Sequence, residues 1–270
     1  HRDLHSFPTR RSSDLMKRIV AFFTMSVLLA GMAMAQNETM YIHLKTGAIA
    51  NYPVNDIDSI VFYDGGGGNS VTDIDGNVYT IIEIGPQSWL GQNLKTTRYN
   101  DGTPIPLQTD AGIWDTLSTH AYCWYENDIT YKEPYGALYN WHVINMAENG
   151  GKNVCPIGWH VPEDDEWTAL TDYLGGHTVA GGKLKEAGTT HWTPPNSGAT
   201  NETGFTALPG GERGTGGAFA VMDSEGNWWT AYAHPTYGSA YYRSMGFASA
   251  SVYRTHLSKT FGMSIRCISD

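Results

Sequence analysis

Short runs of alternating apolar and polar residues fill the second half of the chain. From Phe205 onward these runs are separated by glycine-rich turns, and they read FTALPGG, WWTAY, YYRSMGF, SVYRTH and FGMSIRCIS. An alternation with a period of two places successive side chains on opposite faces of a β-strand. The pattern therefore predicts several short strands between Phe205 and Asp270.

One stretch upstream has helical spacing instead. Its apolar or small positions recur every three or four residues, at Trp167, Leu170, Thr171 and Leu174. The acidic run Glu163 to Glu166 suits the positive end of a helix dipole, Pro162 fits the first helical position, and Gly175-Gly176 suits the C-terminal cap. A metal site is the alternative interpretation of the acidic run, although four consecutive residues point in four directions around a helix.

The remaining elements are predicted from shorter signals. A helix is predicted over Tyr135 to Met146, and a short helix or helical turn over Gly182 to Ala187. Asp75-Gly76-Asn77 predicts a hairpin turn. The alternative is a calcium loop using Asp73, Asp75 and Asn77, but the rest of the loop pattern is missing. Two or three helices among many short strands are typical of an α+β domain.

The first 35 residues are expected to lie outside the mature protein. Residues 1–15 contain HSFPTRRSSDL, which resembles the translation of a sequencing-library adapter, so Met16 is the expected start. Residues 16–35 combine Lys17-Arg18, an apolar run and an Ala-Met-Ala site, as in a cleaved secretory signal peptide. An uncleaved membrane helix is the alternative, but the apolar run is short for a bilayer. We therefore expect a secreted or cell-envelope protein with no membrane span after cleavage.

Three segments follow the predicted signal peptide. Residues 36–64 predict a small β unit of two or three strands, which is too short to hold a core by itself. Residues 65–70 are rich in glycine and predict a flexible linker. Residues 71–270 have the size of one domain.

The charge of the chain excludes one class of partner. It has 17 basic and 27 acidic residues and a formal net charge of −10. A surface with this balance repels phosphate backbones, so nucleic-acid binding is not expected.

Several motifs, in order, carry a resemblance to a known family. CPIGWHVPEDDEW (155–167), NSGATNETGFTALPGG and the final FGMSIRC resemble the Fibrobacter succinogenes major paralogous domain, with the similarity running over residues 71–270. GWHVPEDDEW, EGNWW and FGMSIRC are more distantly similar to segments of the formylglycine-generating-enzyme fold and of C-type-lectin-like domains. The resemblance implies a secreted α+β domain with a C-type-lectin-like fold.

The resemblance also implies a role for the cysteines. The family motifs contain the cysteines that are here Cys155 and Cys267, and in a lectin-like fold such a pair commonly forms a disulfide. Cys123 is then expected to be a buried free thiol, with a reactive thiol or an intermolecular bridge as the alternative.

Enzymatic motifs are missing from the sequence, so we expect no enzyme, no cofactor and no metal. The related oxidases bind copper through a close cysteine pair, but only Cys267 is present near the end of this chain. Neither a G-x-S-x-G elbow nor an H-E-x-x-H pair occurs. The calcium-binding motifs of C-type lectins are also not matched. His160 is expected to be a hydrogen-bonded residue in or near the core.

Aromatic and polar side chains of the second half remain as candidates for ligand binding. They are Trp192, Trp228, Trp229, Tyr241, Tyr242 and Arg243. Trp, Tyr and Arg dominate binding hot spots, although in an adjacent pair one ring normally faces the core. Arg213 and Arg266 are expected to be structural ion-pair partners.

The favoured hypothesis is a non-catalytic, secreted or surface-exposed binding module that recognises a glycan or a cell-surface protein. A structural component of a cell-surface assembly is the second hypothesis, and an enzyme of unknown type the third.

Overall fold

The computed structural model describes residues 39–43, 49–53, 69–235 and 238–270. The chain divides into two compact units, residues 1–63 and 64–270. The predicted adapter segment, the signal peptide and most of the predicted linker lie outside the described residues. Among the residues that are described, no helix is long and apolar enough to cross a membrane.

The first unit contains one described strand pair. Strand β1 (Thr39–His43) runs antiparallel to β2 (Ile49–Pro53), with Met40 opposite Tyr52. Residues 44–48, which connect these two strands, lie outside the described residues.

The second unit is an α+β domain with two five-stranded sheets. The first sheet consists of β3 (Ser70–Thr72), β4 (Val78–Ile84), β5 (Gln87–Leu90), β8 (Trp159–His160) and β14 (Ile268–Ser269). Their order is β3-β4-β5-β14-β8, and all neighbours are antiparallel. The last strand of the chain therefore lies between β5 and β8.

The second sheet carries most of the alternating pattern of the second half. It consists of β9 (Gly210–Arg213), β10 (Phe219–Met222), β11 (Glu225–Ala233), β12 (Ser239–Gly246) and β13 (Tyr253–Ser258). The order β10-β9-β11-β12-β13 makes β13 an edge strand. A separate small pair joins β6 (Tyr122–Cys123) to β7 (Leu138–Tyr139).

Four helices are described in this unit: α1 (Ala111–Asp115), α2 (Lys132–Tyr135), α3 (Asp164–Tyr173) and α4 (His177–Leu184). Helix α3 confirms the predicted apolar face, because Trp167, Leu170, Thr171 and Leu174 are all buried. Its N-cap is Glu163, so Pro162 precedes the cap and does not take the first helical position. Gly175, with φ +99°, ends the helix as predicted.

The helix predicted over Tyr135 to Met146 is wrong. This segment contains strand β7 and a 3-10 turn at Trp141–Val143. A short apolar run does not by its spacing distinguish a strand from a buried helix. Here Tyr139 instead pairs with Tyr122 and with Met263, so tertiary pairing decides the conformation.

The hairpin turn at Asp75 to Asn77 is confirmed. Gly76 has φ +83°, and β3 and β4 pair on either side of it. The Asp73 carboxylate accepts hydrogen bonds from the backbone N–H groups of Asp75 and Asn77 and from the Tyr79 hydroxyl. These hydrogen bonds account for Asp73 as a residue that stabilises the turn.

The predicted disulfide is confirmed. Cys155 and Cys267 are bonded, with their Cα atoms 6.0 Å apart. They precede β8 and β14, which are paired neighbours in the first sheet. Cys123 is buried and free, as predicted.

Arg213 and Arg266 are structural, but the prediction of ion pairs for them is wrong. Arg266 donates to the Asn93 side chain and to the carbonyl oxygens of Leu90 and Phe205. Arg213 donates to three backbone carbonyls and lies 4.3 Å from the centre of the Trp114 ring. Within the described part of the chain neither guanidinium has a carboxylate partner, because both are buried among backbone acceptors and rings.

Candidate functional site

The three tryptophans predicted to bind a ligand lie in the core. Trp192, Trp228 and Trp229 are 1%, 0% and 0% exposed. Each indole N–H donates to a protein acceptor: the Ala207 carbonyl for Trp192, the Asn93 side chain for Trp228 and the Tyr139 carbonyl for Trp229. The two neighbouring residues of β11 point to opposite faces of the sheet, and each ring packs into a different hydrophobic cluster, Trp228 with Trp167 and Trp229 with Tyr242. None of the three rings presents a face to solvent.

Tyr242 and Arg243 are also buried, in contrast to the prediction. Tyr242 packs edge-on against Trp229, with ring centres 6.0 Å apart. Arg243 donates from one nitrogen to the Asp164 carboxylate at 2.6 Å and from another to the Asp164 carbonyl at 2.9 Å. Its side chain therefore ties helix α3 to β12 and is not available to a ligand.

Tyr241 is the one predicted residue that reaches the surface. It is half-buried on β12, opposite His256 of β13. We use the term aromatic cluster for Tyr241 and the four side chains around it, which come from β11, the segment that follows β11, and β13: Tyr232, His234, Arg254 and His256.

The aromatic cluster is built by ring stacking. The Arg254 guanidinium lies 3.7 Å from the centre of the Tyr241 ring. Tyr232 stacks on Tyr241 with centres 5.7 Å apart and planes 20° apart, and His234 stacks on His256 at 3.8 Å. Tyr232 remains 48% exposed, so its ring is the most accessible of the tyrosines in the cluster.

A single carboxylate positions the cationic part of the cluster. Asp164, at the start of α3, accepts from Arg254 at 2.8 Å and also pairs with the buried Arg243. The helix dipole further stabilises this carboxylate. Asp164 therefore holds the Arg254 guanidinium over the ring of Tyr241.

A polar cleft lies beside the aromatic cluster. It has a volume of about 340 Å³, and its lining consists of Glu163, Asp164, Asp165, Tyr232 and Arg254. Burial and the charge of Glu166 raise the pKa of the Glu163 carboxyl. Desolvation and the nearby charges of His256 and Arg254 lower the pKa of His234. The cleft combines an aromatic face with hydrogen-bond donors and acceptors.

This arrangement is suited to binding. Aromatic faces, a guanidinium and carboxylates at the edge of a cleft recognise ligands that have both apolar and hydroxyl-bearing surfaces. Among the described residues, no group of three or more His, Cys, Asp or Glu side chains is placed to hold a metal ion.

A comparison with known protein families shows which family the chain belongs to. The family described as the Fibrobacter succinogenes major domain (Fib_succ_major) matches residues 82–269, which is more than half of the sequence. The chain belongs to the Fibrobacter succinogenes major domain family. No curated protein and no solved structure matches it significantly. The aromatic cluster lies within the residues that this family covers.

One residue of the family motif, His160, links three parts of the Fibrobacter succinogenes major domain. Its Nδ1 lies 2.7 Å from the Asp270 carboxylate, and its Nε2 lies 3.0 Å from the Glu166 carboxylate. Both ring nitrogens are therefore occupied by structural partners, in agreement with the expected hydrogen-bonded role.

Sequence reasoning did not single out most of the aromatic cluster. Tyr232 and His234 are two positions apart, and so are Arg254 and His256. This spacing predicts one shared strand face, but it does not show which strands are neighbours in the sheet. Only the pairing of β12 with β13 and the bulge in β11 bring the four side chains together with Tyr241.

Proposed function

We propose that this Fibrobacter succinogenes major domain is a non-catalytic binding module of a secreted or surface-exposed protein, and that it binds a glycan at the aromatic cluster. The observation that carries the proposal is the half-exposed Tyr232 ring, stacked on Tyr241 beside a polar cleft. A sugar ring offers an apolar face to an aromatic side chain and hydroxyls to neighbouring carboxylates and guanidinium groups.

Secretion is part of this proposal. The signal-peptide pattern of residues 16–35 supports it, and so does the Cys155–Cys267 disulfide, because disulfides persist mainly in oxidising compartments. A C-type-lectin-like fold is proposed on the basis of the sequence motifs and of an α+β domain with few helices and short strands.

The test is a binding measurement on a broad panel of glycans and polysaccharides with the purified chain. We expect saturable binding, and we expect Tyr232→Ala to weaken it by about tenfold or more, since an aromatic hot spot contributes about 2 kcal/mol or more and tenfold corresponds to about 1.4 kcal/mol. Isothermal titration with the best glycan gives the ratio of dissociation constants.

The control is Tyr173→Ala on helix α3. Tyr173 is 62% exposed and lies outside the aromatic cluster, so its loss should leave glycan affinity unchanged. Equal effects of the two substitutions would contradict binding at the cluster. Binding to no glycan would reject the glycan proposal and favour a protein partner or a role in a cell-surface assembly, which a pull-down from cell envelopes would then test.

A further inference from the structure

Oxygen-bearing side chains gather on the face of the second sheet opposite to the aromatic cluster. Glu225 and Asn227 are two positions apart on β11 and therefore share a face. The bridge between Gly211 and Gly226 sets Glu212 of β9 beside Asn227, and Ser244 of β12 lies opposite Asn227. We use the term oxygen cluster for these four side chains: Glu212, Glu225, Asn227 and Ser244.

The amide of Asn227 is only half satisfied. The residue is 1% exposed, and its Nδ2 donates to the Glu212 carboxylate at 3.2 Å. Its Oδ1 is buried and has no hydrogen-bond partner among the described residues. A buried carbonyl oxygen without a partner is costly, and rare enough in folded proteins to require an explanation.

The two carboxylates lack a compensating cation. Neither Glu212 nor Glu225 forms an ion pair with a lysine, arginine or histidine in the described part of the chain. Glu212 is half-buried and lies within the electrostatic reach of the Glu225 carboxylate. A positive ion beside these groups would offset the repulsion between the two carboxylates and give the unpaired carbonyl oxygen a partner.

We propose that Glu212, Glu225 and Asn227 bind a calcium ion, with the Ser244 hydroxyl within reach of the same site. The candidate ligands are oxygens only, namely two carboxylates, one amide carbonyl and one hydroxyl. Calcium takes six to eight such ligands in flexible geometry and completes its shell with water, whereas zinc and copper prefer nitrogen or sulfur. Extracellular modules of this kind bind calcium with dissociation constants on the order of 10⁻⁴ to 10⁻³ M.

The calcium site is independent of the glycan proposal. Arg243 and Arg254, which reach toward Asp164, lie on the opposite sheet face from Asn227 and Ser244 by strand alternation. Loss of glycan binding alone therefore leaves the calcium proposal unaffected.

The experiment uses the full chain after treatment with a chelator. Added calcium chloride should raise the melting temperature by about 3–6 °C at ten times the dissociation constant. Terbium, which replaces calcium at oxygen sites, should show luminescence sensitised by the neighbouring tryptophans, and calcium should displace it.

The variants locate the site. Glu212→Gln keeps the shape of the side chain and removes one negative charge, so the variant should fold and, in chelator, melt no lower than the parent chain. Its calcium-induced rise in melting temperature should fall by at least about 80%. Asn227→Asp adds a charged oxygen and should tighten terbium binding. The control Glu126→Gln, an exposed glutamate outside the cluster, should respond like the parent chain.

Two outcomes would overturn the proposal. One is no melting shift and no sensitised terbium emission at 10 mM calcium, roughly ten times the weakest expected dissociation constant. The other is a calcium response that Glu212→Gln retains in full, which would place the ion elsewhere.

Discussion

Lys185 shows how single residues are stabilised in this protein. The residue has no exposed surface, and its ammonium group donates to the carbonyl oxygens of Ser197, Gly246 and Ser249 at 3.1, 3.0 and 2.8 Å. Three donors thus meet three backbone acceptors, one at Ser197 and two close together at Gly246 and Ser249. The side chain ties the end of helix α4 to the end of β12 and to two loops, and Arg213 and Arg266 likewise donate to backbone carbonyls from distant parts of the chain.

Replacing Lys185 should destabilise the fold. We expect Lys185→Met to lower the free energy of unfolding by ~2–4 kcal/mol, because three buried carbonyl oxygens lose their donor. Denaturant titration measures the difference. The control is Lys183→Met in the last turn of α4, which ends next to Lys185; its partly exposed ion pair with Glu202 is worth less than about 1 kcal/mol. Equal losses for the two variants would show that the three carbonyls do not depend on the ammonium.

Helix α3 shows how one element organises the surface. Glu166 accepts a hydrogen bond from the backbone N–H of Glu163 at 2.8 Å and so closes a capping box. The same carboxylate binds His160 of β8, while Asp164 binds Arg243 and Arg254. The acidic start of the helix therefore stabilises its own first turn and also joins it to both sheets.

The His160 contacts predict a pH dependence of stability. Burial lowers the pKa of His160, but the Asp270 and Glu166 carboxylates outweigh it, so the pKa is raised above its ordinary value of 6.5. The protonated ring then stabilises the folded state. This contribution is fully present below the unfolded pKa and is lost as the pH rises through the folded one.

Melting curves of the parent chain and His160→Gln between pH 5 and pH 8.5 provide the test. The difference between them should shrink as the pH rises above about 6.5, and solvent screening limits its size to about 1 kcal/mol. A difference that stays constant over this range would contradict a charged His160.

The whole domain depends on its last strand. Strand β14 inserts between β5 and β8, and the disulfide that precedes it links two residues 112 positions apart. Strand β14 thus joins distant parts of the chain in one sheet. The disulfide closes a long loop, so it strongly reduces the conformational entropy of the unfolded chain.

Reduction of the disulfide should therefore be costly. We expect Cys155→Ser, or reductant, to lower the free energy of unfolding by roughly 3–5 kcal/mol, as the chain-entropy account gives for a loop of this length. Guanidinium titration with and without reductant measures this. Cys123→Ala is the matched control, because it removes a buried thiol and leaves the loop closed. If reductant changed neither the parent chain nor the control, the disulfide would contribute nothing to stability.

The sequence by itself determined the features that depend on near neighbours. The acidic first turn, apolar face and glycine end of α3 and the turn at Asp75 to Asn77 follow from residues within one or two turns of each other, although Pro162 does not mark the first helical position. The family motifs, which are themselves local patterns, identified the family and the cysteine pair.

Only the tertiary structure decided which side chains face solvent. Trp228 and Tyr241 lie on similar alternating strands, yet one is buried under α3 and the other reaches the surface, because exposure depends on what covers each part of a sheet. The same reason explains the wrong helix at Tyr135 to Met146 and the carbonyl partners of Arg213 and Arg266. Partners that are distant in sequence leave no pattern along a single chain, whereas burial and pairing in the folded sheets specify them.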